Sequence, residues 1–67
     1  MDFSKKIKEL RERYNYTQSY VAQQLGIKQS SYNKYEHGIA RPEYEKLVKL
    51  AQLYDVSVDY LLNNDII

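Results

Sequence analysis

The stretch TQSYVAQQLGIKQSSYNKYEHG, residues 17–38, decides the fold. Thr17 is a helix-capping residue, because its hydroxyl accepts a bond from a backbone N–H in the turn that follows. Val21, Ala22 and Leu25 come next on one helical face. The Glu or Gln of a capping box is missing from the third helical position, where Tyr20 stands. Gly26, one of two glycines in the 67-residue chain, follows the last apolar residue, where a helix stops with positive φ at no steric penalty. Ala22 is small, which lets a second helix cross this one closely after a three-residue turn. The stretch therefore predicts two short helices meeting at a sharp angle and ending at Gly38.

The second of these helices, Lys28 to about His37, has a readable wheel. At about 100° per residue, Gln29, Ser30, Asn33, Lys34 and His37 fall within one arc of roughly 140°. Lys28, Ser31, Tyr32 and Tyr35 gather opposite, with the two tyrosines as buried anchors. The outward arc is polar throughout, and its formal charge is Lys34. Amides, a hydroxyl and a cation are the groups that hydrogen-bond base edges in the major groove of DNA. A face that is merely solvated more often carries Glu/Lys pairs at four-residue spacing, which this one lacks.

Working outward, Phe3, Ile7, Leu10 and Tyr14 are spaced as the apolar stripe of a first helix, capped by Asp2 or Ser4 and stopped at Asn15. On the other side, Pro42 keeps the connector Ile39-Ala40-Arg41-Pro42 out of helix. Tyr44, Leu47, Val48, Ala51 and Tyr54 mark a fourth helix, with Glu43 and Glu45 in its first turn, where the macrodipole favours them. Asp55 is its break. Ser57 caps a fifth helix that turns Val58, Leu61 and Leu62 inward, and Asn63-Asn64-Asp65 ends it. Most of the eight tyrosines (Tyr14, Tyr32, Tyr35, Tyr44 and Tyr54) are expected in the core, whereas Tyr16, Tyr20 and Tyr60 lie off the stripes. The pattern is that of a compact all-α five-helix bundle with no strand and no internal repeat.

Composition narrows the function. A chain of this length has room for one domain, which buries roughly 60% of its unfolded surface. With no cysteine, disulfides and thiolate metal sites are excluded, and a reducing cytoplasmic setting is expected. The start MDFSKKIKEL has no signal-peptide core, and no apolar run reaches membrane-spanning length. Net charge is +1, but residues 1–42 carry eight Lys/Arg against four Asp/Glu, and residues 43–67 two against five. That asymmetry suggests that one end meets a polyanion. Both glycines stand at helix ends, which leaves no phosphate-cradling loop, and no cluster has metal-ligand spacing. The one histidine, His37, has only neighbouring Glu36 as a carboxylate partner. An enzyme is not expected, and no cofactor or metal is implied.

Taken in order, Arg11, Thr17-Gln18, Val21-Ala22, Leu25-Gly26, Tyr35-Glu36-x-Gly38, Arg41-Pro42 and the Leu47 to Leu62 series resemble the lambda/434-repressor and Cro family of helix-turn-helix domains. The resemblance spans residues 3 to 62 and implies a single domain whose helix-turn-helix unit covers about 17–37. Residues 63–67 form a tail expected to be frayed or in a dimer contact. The resemblance also implies a prokaryotic or phage transcriptional regulator, most naturally a repressor. Such proteins bind a palindromic operator in double-stranded DNA as homodimers, one recognition helix per major groove.

By position, Gln29, Ser30, Asn33 and Lys34 would then contact bases, and Gln18, Lys28, His37, Arg41 and Arg11 phosphates. Arg11 with Glu36 would form a structural ion pair. Lys28 stands where the family usually has a capping Ser or Thr, and Tyr32, where Ile or Val is usual, needs a polar outlet for its hydroxyl. Tyr60, Leu62, Ile66 and Ile67 suggest a dimer contact. The alternative is an antitoxin or adaptor that uses the same fold to bind a protein partner through its acidic, tyrosine-bearing C-terminal half.

Overall fold

The spacing of Phe3, Ile7 and Leu10 becomes the inner face of α1 (Asp2–Arg13), with all three buried. The chain continues through α2 (Gln18–Leu25), α3 (Gln29–Glu36), α4 (Tyr44–Leu53) and α5 (Val58–Leu62). The computed structural model describes residues 2–62, and no strand occurs among them. α2 packs on α3 and α4, α1 on α3 and α5, and α4 on α5. One core results, built around Ile7, Val21, Leu25, Tyr32, Leu50, Tyr54 and Leu61, none more than 1% exposed. Each such aliphatic side chain contributes about 1.5–3 kcal/mol relative to exposure.

The first four helices end in the same way. A residue with positive φ follows each of them: Asn15 (61°), Gly26 (73°), Gly38 (73°) and Asp55 (56°). The next N–H then reaches back to the carbonyl five positions earlier. Tyr16 bonds Arg11 and Ile27 bonds Ala22, each at 3.0 Å; Ile39 bonds Lys34 at 3.0 Å, and Val56 bonds Ala51 at 2.9 Å. This is the Schellman closure, which satisfies helix-end carbonyls and usually tucks an apolar residue under the end. Tyr16, Ile27 and Val56 do pack against the core. Ile39, after α3, is 72% exposed.

Capping follows the sequence at two sites. Thr17 Oγ1 accepts from Tyr20 N at 3.0 Å, and Ser57 Oγ from Tyr60 N at 2.9 Å. Five expectations are corrected. Ser4 lies inside α1 and is not its cap. Tyr44 is 75% exposed instead of buried, at the first position of α4, where Leu47 of the same turn packs against the core. Leu62 is 43% exposed, since Leu61 takes the inward position of the five-residue α5. Tyr16 lies off every stripe yet is partly buried, its ring centroid 4.7 Å from that of Tyr20, 5.5 Å from Tyr14 and 6.1 Å from Tyr54. Tyr14 itself is 40% exposed, with its hydroxyl donating to the Tyr54 carbonyl at 2.9 Å.

Candidate nucleic-acid interface

The outward side of α3 exists because its inward side is firmly anchored. Tyr32 and Tyr35 are buried, with ring centroids 5.9 Å apart in an edge-on arrangement. Gly26 places α3 across α2, and Val21, Ala22 and Leu25 are buried beneath it. Gln29, Ser30, Ser31 and Lys34 are exposed, and Asn33 is half-buried at the edge.

At the C-terminal end of α3 a single carboxylate gathers three side chains. Arg11 Nε donates to Glu36 Oε2 at 2.7 Å and Arg11 Nη2 to Oε1 at 3.1 Å. Gln18 Nε2 donates to Oε1 at 3.0 Å, and the Tyr32 hydroxyl donates a short bond to Oε2. Arg11 Nη1 also donates to the Tyr16 carbonyl at 3.1 Å, and Asn33 Nδ2 to Gln18 Oε1 at 3.2 Å. The Glu36 side chain is 2% exposed and that of Arg11 14%. Burial alone would push the Glu36 carboxyl upward, but the bonds from Arg11, then Tyr32 and Gln18, outweigh it and hold the group below its ordinary value. The bond from Glu36 in turn raises Arg11. Tyr32, raised chiefly by burial and then by its bond to Glu36, stays a neutral donor. The cluster ties α1, α2 and α3 together by charge-assisted bonds, the stronger class of protein hydrogen bond.

The opposite end of α3 is open. Lys28 occupies the N-cap with extended φ −74° and ψ 151° and makes no side-chain cap bond. The first backbone bonds of the helix run from Ser31 and Tyr32 back to the Lys28 carbonyl. Its leading amides therefore face outward beside the exposed side chains of Gln29 and Ser30.

The residues singled out in the sequence thus fall into three settings. Gln29, Ser30 and Lys34 share the exposed surface of α3, and Lys28, His37 and Arg41 are exposed around it. The His37 ring nitrogen Nδ1 is 2.9 Å from the Asn33 carbonyl. Gln18, Asn33 and Arg11 are committed to the network around Glu36. That both ends of the Gln18 amide are engaged internally was not foreseen, because the bonds join residues 15 and 18 positions apart. Tyr60 and Leu62 are remote in sequence from this surface and are 44% and 43% exposed. Lys6 Nζ lies 4.0 Å from the Tyr60 ring centroid and 3.3 Å from its carbonyl. Ile66 and Ile67 lie outside the described residues.

Comparison with known proteins places this geometry. A family model described as helix-turn-helix matches residues 7–61. An uncharacterized HTH-type transcriptional regulator of Bacillus subtilis, YobD, is 43% identical over 90% of this chain and 54% of its own length. The HTH-type transcriptional regulator ImmR of the same organism is 40% identical over 97% of this chain and 51% of its own length. This chain spans about half the length of these curated relatives. Among solved structures, the P22 c2 repressor in complex with a synthetic operator superposes with a TM-score of 0.88 at 24% identity, covering 94% of this chain and 96% of that one. The N-terminal DNA-binding domain of SinR from Bacillus subtilis gives 0.84 at 28%, covering 94% and 93%.

Proposed function

This chain belongs to the helix-turn-helix family, and on that premise we propose that it is a sequence-specific DNA-binding unit of a transcriptional regulator, most naturally a repressor. The observation that carries this is the outer face of α3. It presents exposed amides, a hydroxyl and one lysine, held rigid from behind by two buried tyrosines and the Glu36 cluster. Rigid presentation matters because the hydrogen-bond pattern of base edges discriminates only when the donors and acceptors are fixed in register. In this reading α3 lies in the major groove. Gln29, Ser30 and Lys34 address base edges, and Asn33 addresses bases or backbone from the rim. Lys28 meets phosphates on one side of the groove, joined there by the backbone N–H and the second Nε2–H of Gln18, whose other amide bonds stay within the Glu36 network; His37 and Arg41 meet phosphates on the other. Phosphate contacts fix position and supply most of the affinity, whereas base contacts select the sequence. Arg11 acts through Glu36, as a clamp on α3.

Two copies on a two-fold site give one recognition helix per half-site, with half-site centres about one helical turn apart. Occupancy of a promoter element by such a dimer blocks or recruits polymerase. Selection of bound sequences from a random duplex pool tests the proposal. The expected product is a palindrome with that spacing; an unenriched pool, with weak and sequence-blind binding, overturns it.

A further inference from the structure

Where α1 passes the end of α3, an open trough of about 440 Å³ lies between Ser4, Lys5 and Lys8 on one wall and His37, Gly38 and Arg41 on the other. The backbone at Gly38 runs close to α1, since a Cβ there would sit 3.5 Å from Ser4 Oγ. Lys5, Lys8, His37 and Arg41 are all exposed. Among the described residues the ion pairs are Arg11–Glu36 and Lys46–Glu43, so the two lysines and Arg41 have no carboxylate partner there. Glu36 contributes to the lining, but its carboxylate is turned inward, 2% exposed and committed to Arg11, Gln18 and Tyr32. The result is a concave surface on which Lys5, Lys8 and Arg41 have no ion-pair partner among the described residues.

Its position relative to α3 decides what it meets. α3 has eight residues, so at 1.5 Å per residue it is about 12 Å long, close to the width of the major groove. With Gln29 and Ser30 over base edges, the chain that follows Glu36 is carried to the edge of the groove, where the sugar-phosphate backbone runs. The trough opens at that point, since His37 and Gly38 belong to its wall.

We propose that this trough seats a backbone phosphate of the bound duplex, with Lys5 and Lys8 of α1 completing a site whose opposite wall carries Arg41. The proposal rests on the DNA-binding reading above and extends the phosphate contacts from the recognition unit to the first helix. It also accounts for how a reading face with one formal charge obtains enough affinity.

The test compares wild type, the double variant Lys5→Gln/Lys8→Gln and Lys49→Gln, whose lysine is exposed on α4 outside the trough. Affinity for a selected duplex is measured across a salt series, after thermal unfolding has shown all three folded. Removing a phosphate contact lowers the slope of log K against log salt by about 0.9 per charge. The double variant is expected to lose about 1–2 in slope per protomer with its base preference unchanged, while Lys49→Gln keeps the wild-type slope. An unchanged slope for the double variant with binding retained overturns the proposal. So does an equal loss in Lys49→Gln, which would reduce the effect to net charge. Inorganic phosphate titrated into the DNA-free chain separates the sources: saturation at Gly38 and Arg41 together with an unchanged DNA slope would make this a small-anion site instead. A wild-type chain that binds no duplex removes the DNA-binding reading itself, a result distinct from these.

Discussion

The two ends of α3 are built on opposite principles. At its C-terminal end Glu36 gathers Arg11, Gln18 and Tyr32 into a buried, charge-assisted cluster, and Gly38 closes the helix. At its N-terminal end Lys28 makes no cap bond, and Gln29 and Ser30 stand exposed. The first end is complete without any partner. The second leaves backbone and side-chain donors available, as a surface finished by its ligand does. A helix pinned at one end and open at the other holds its outer face in register while keeping its hydrogen-bonding capacity for the DNA proposed above.

Breaking the closed end has the largest expected effect. Glu36→Ala strands the Arg11 guanidinium and the Tyr32 hydroxyl, and the loss of a mostly buried ion pair with its hydrogen bonds amounts to about 3 kcal/mol. Chemical denaturation measures it, and a loss below about 1 kcal/mol means that the cluster does not anchor α3.

A pH titration examines the same cluster without removing it. The Glu36 carboxyl is held below its ordinary value in the folded chain, by the bonds from Arg11, Tyr32 and Gln18 against the opposing effect of burial, so its contribution is fully present above the unfolded value and is lost as pH falls through the folded one. Wild type should therefore lose stability on acidification below about pH 4.5, and Glu36→Gln should lose less over the same range. Parallel curves for the two proteins would remove Glu36 from the account.

The open end gives a smaller effect of opposite sign. Lys28→Ser supplies the missing cap and should stabilise the chain by about 0.5–1 kcal/mol in thermal unfolding. If Lys28 meets phosphate, the same variant weakens DNA binding and lowers the salt slope by about one charge. Stability and affinity moving together would mean that this end was not left open for DNA.

The sequence exposed some of this and concealed the rest, for physical reasons. Thr17, Gly26, Ser57, Asn15 and Asp55 act within one turn of themselves, so their residue types were enough to place the helix ends at which they stand. The inner tyrosines of α3 followed from periodicity. Tyr44 did not, because periodicity shows which face a residue occupies but not whether anything lies opposite that residue. Tyr16 sits in a loop, where there is no period to read, and its burial comes from three other rings. The Gln18–Asn33 bond and the trough between Lys8 and Arg41 depend on how α1, α2 and α3 cross, which only the assembled fold displays.

The central claim is that the outer face of α3 selects the sequence while its flanks supply affinity. It is tested most directly by determining base preference for Gln29→Ala, Lys34→Ala and Arg41→Ala on one randomised duplex pool. Gln29→Ala and Lys34→Ala should each relax preference at particular positions, at about 1–3 kcal/mol per lost base contact, and Arg41→Ala should weaken all sequences alike. If all three variants weaken every sequence equally and leave the preferred site unchanged, α3 is not the reading element.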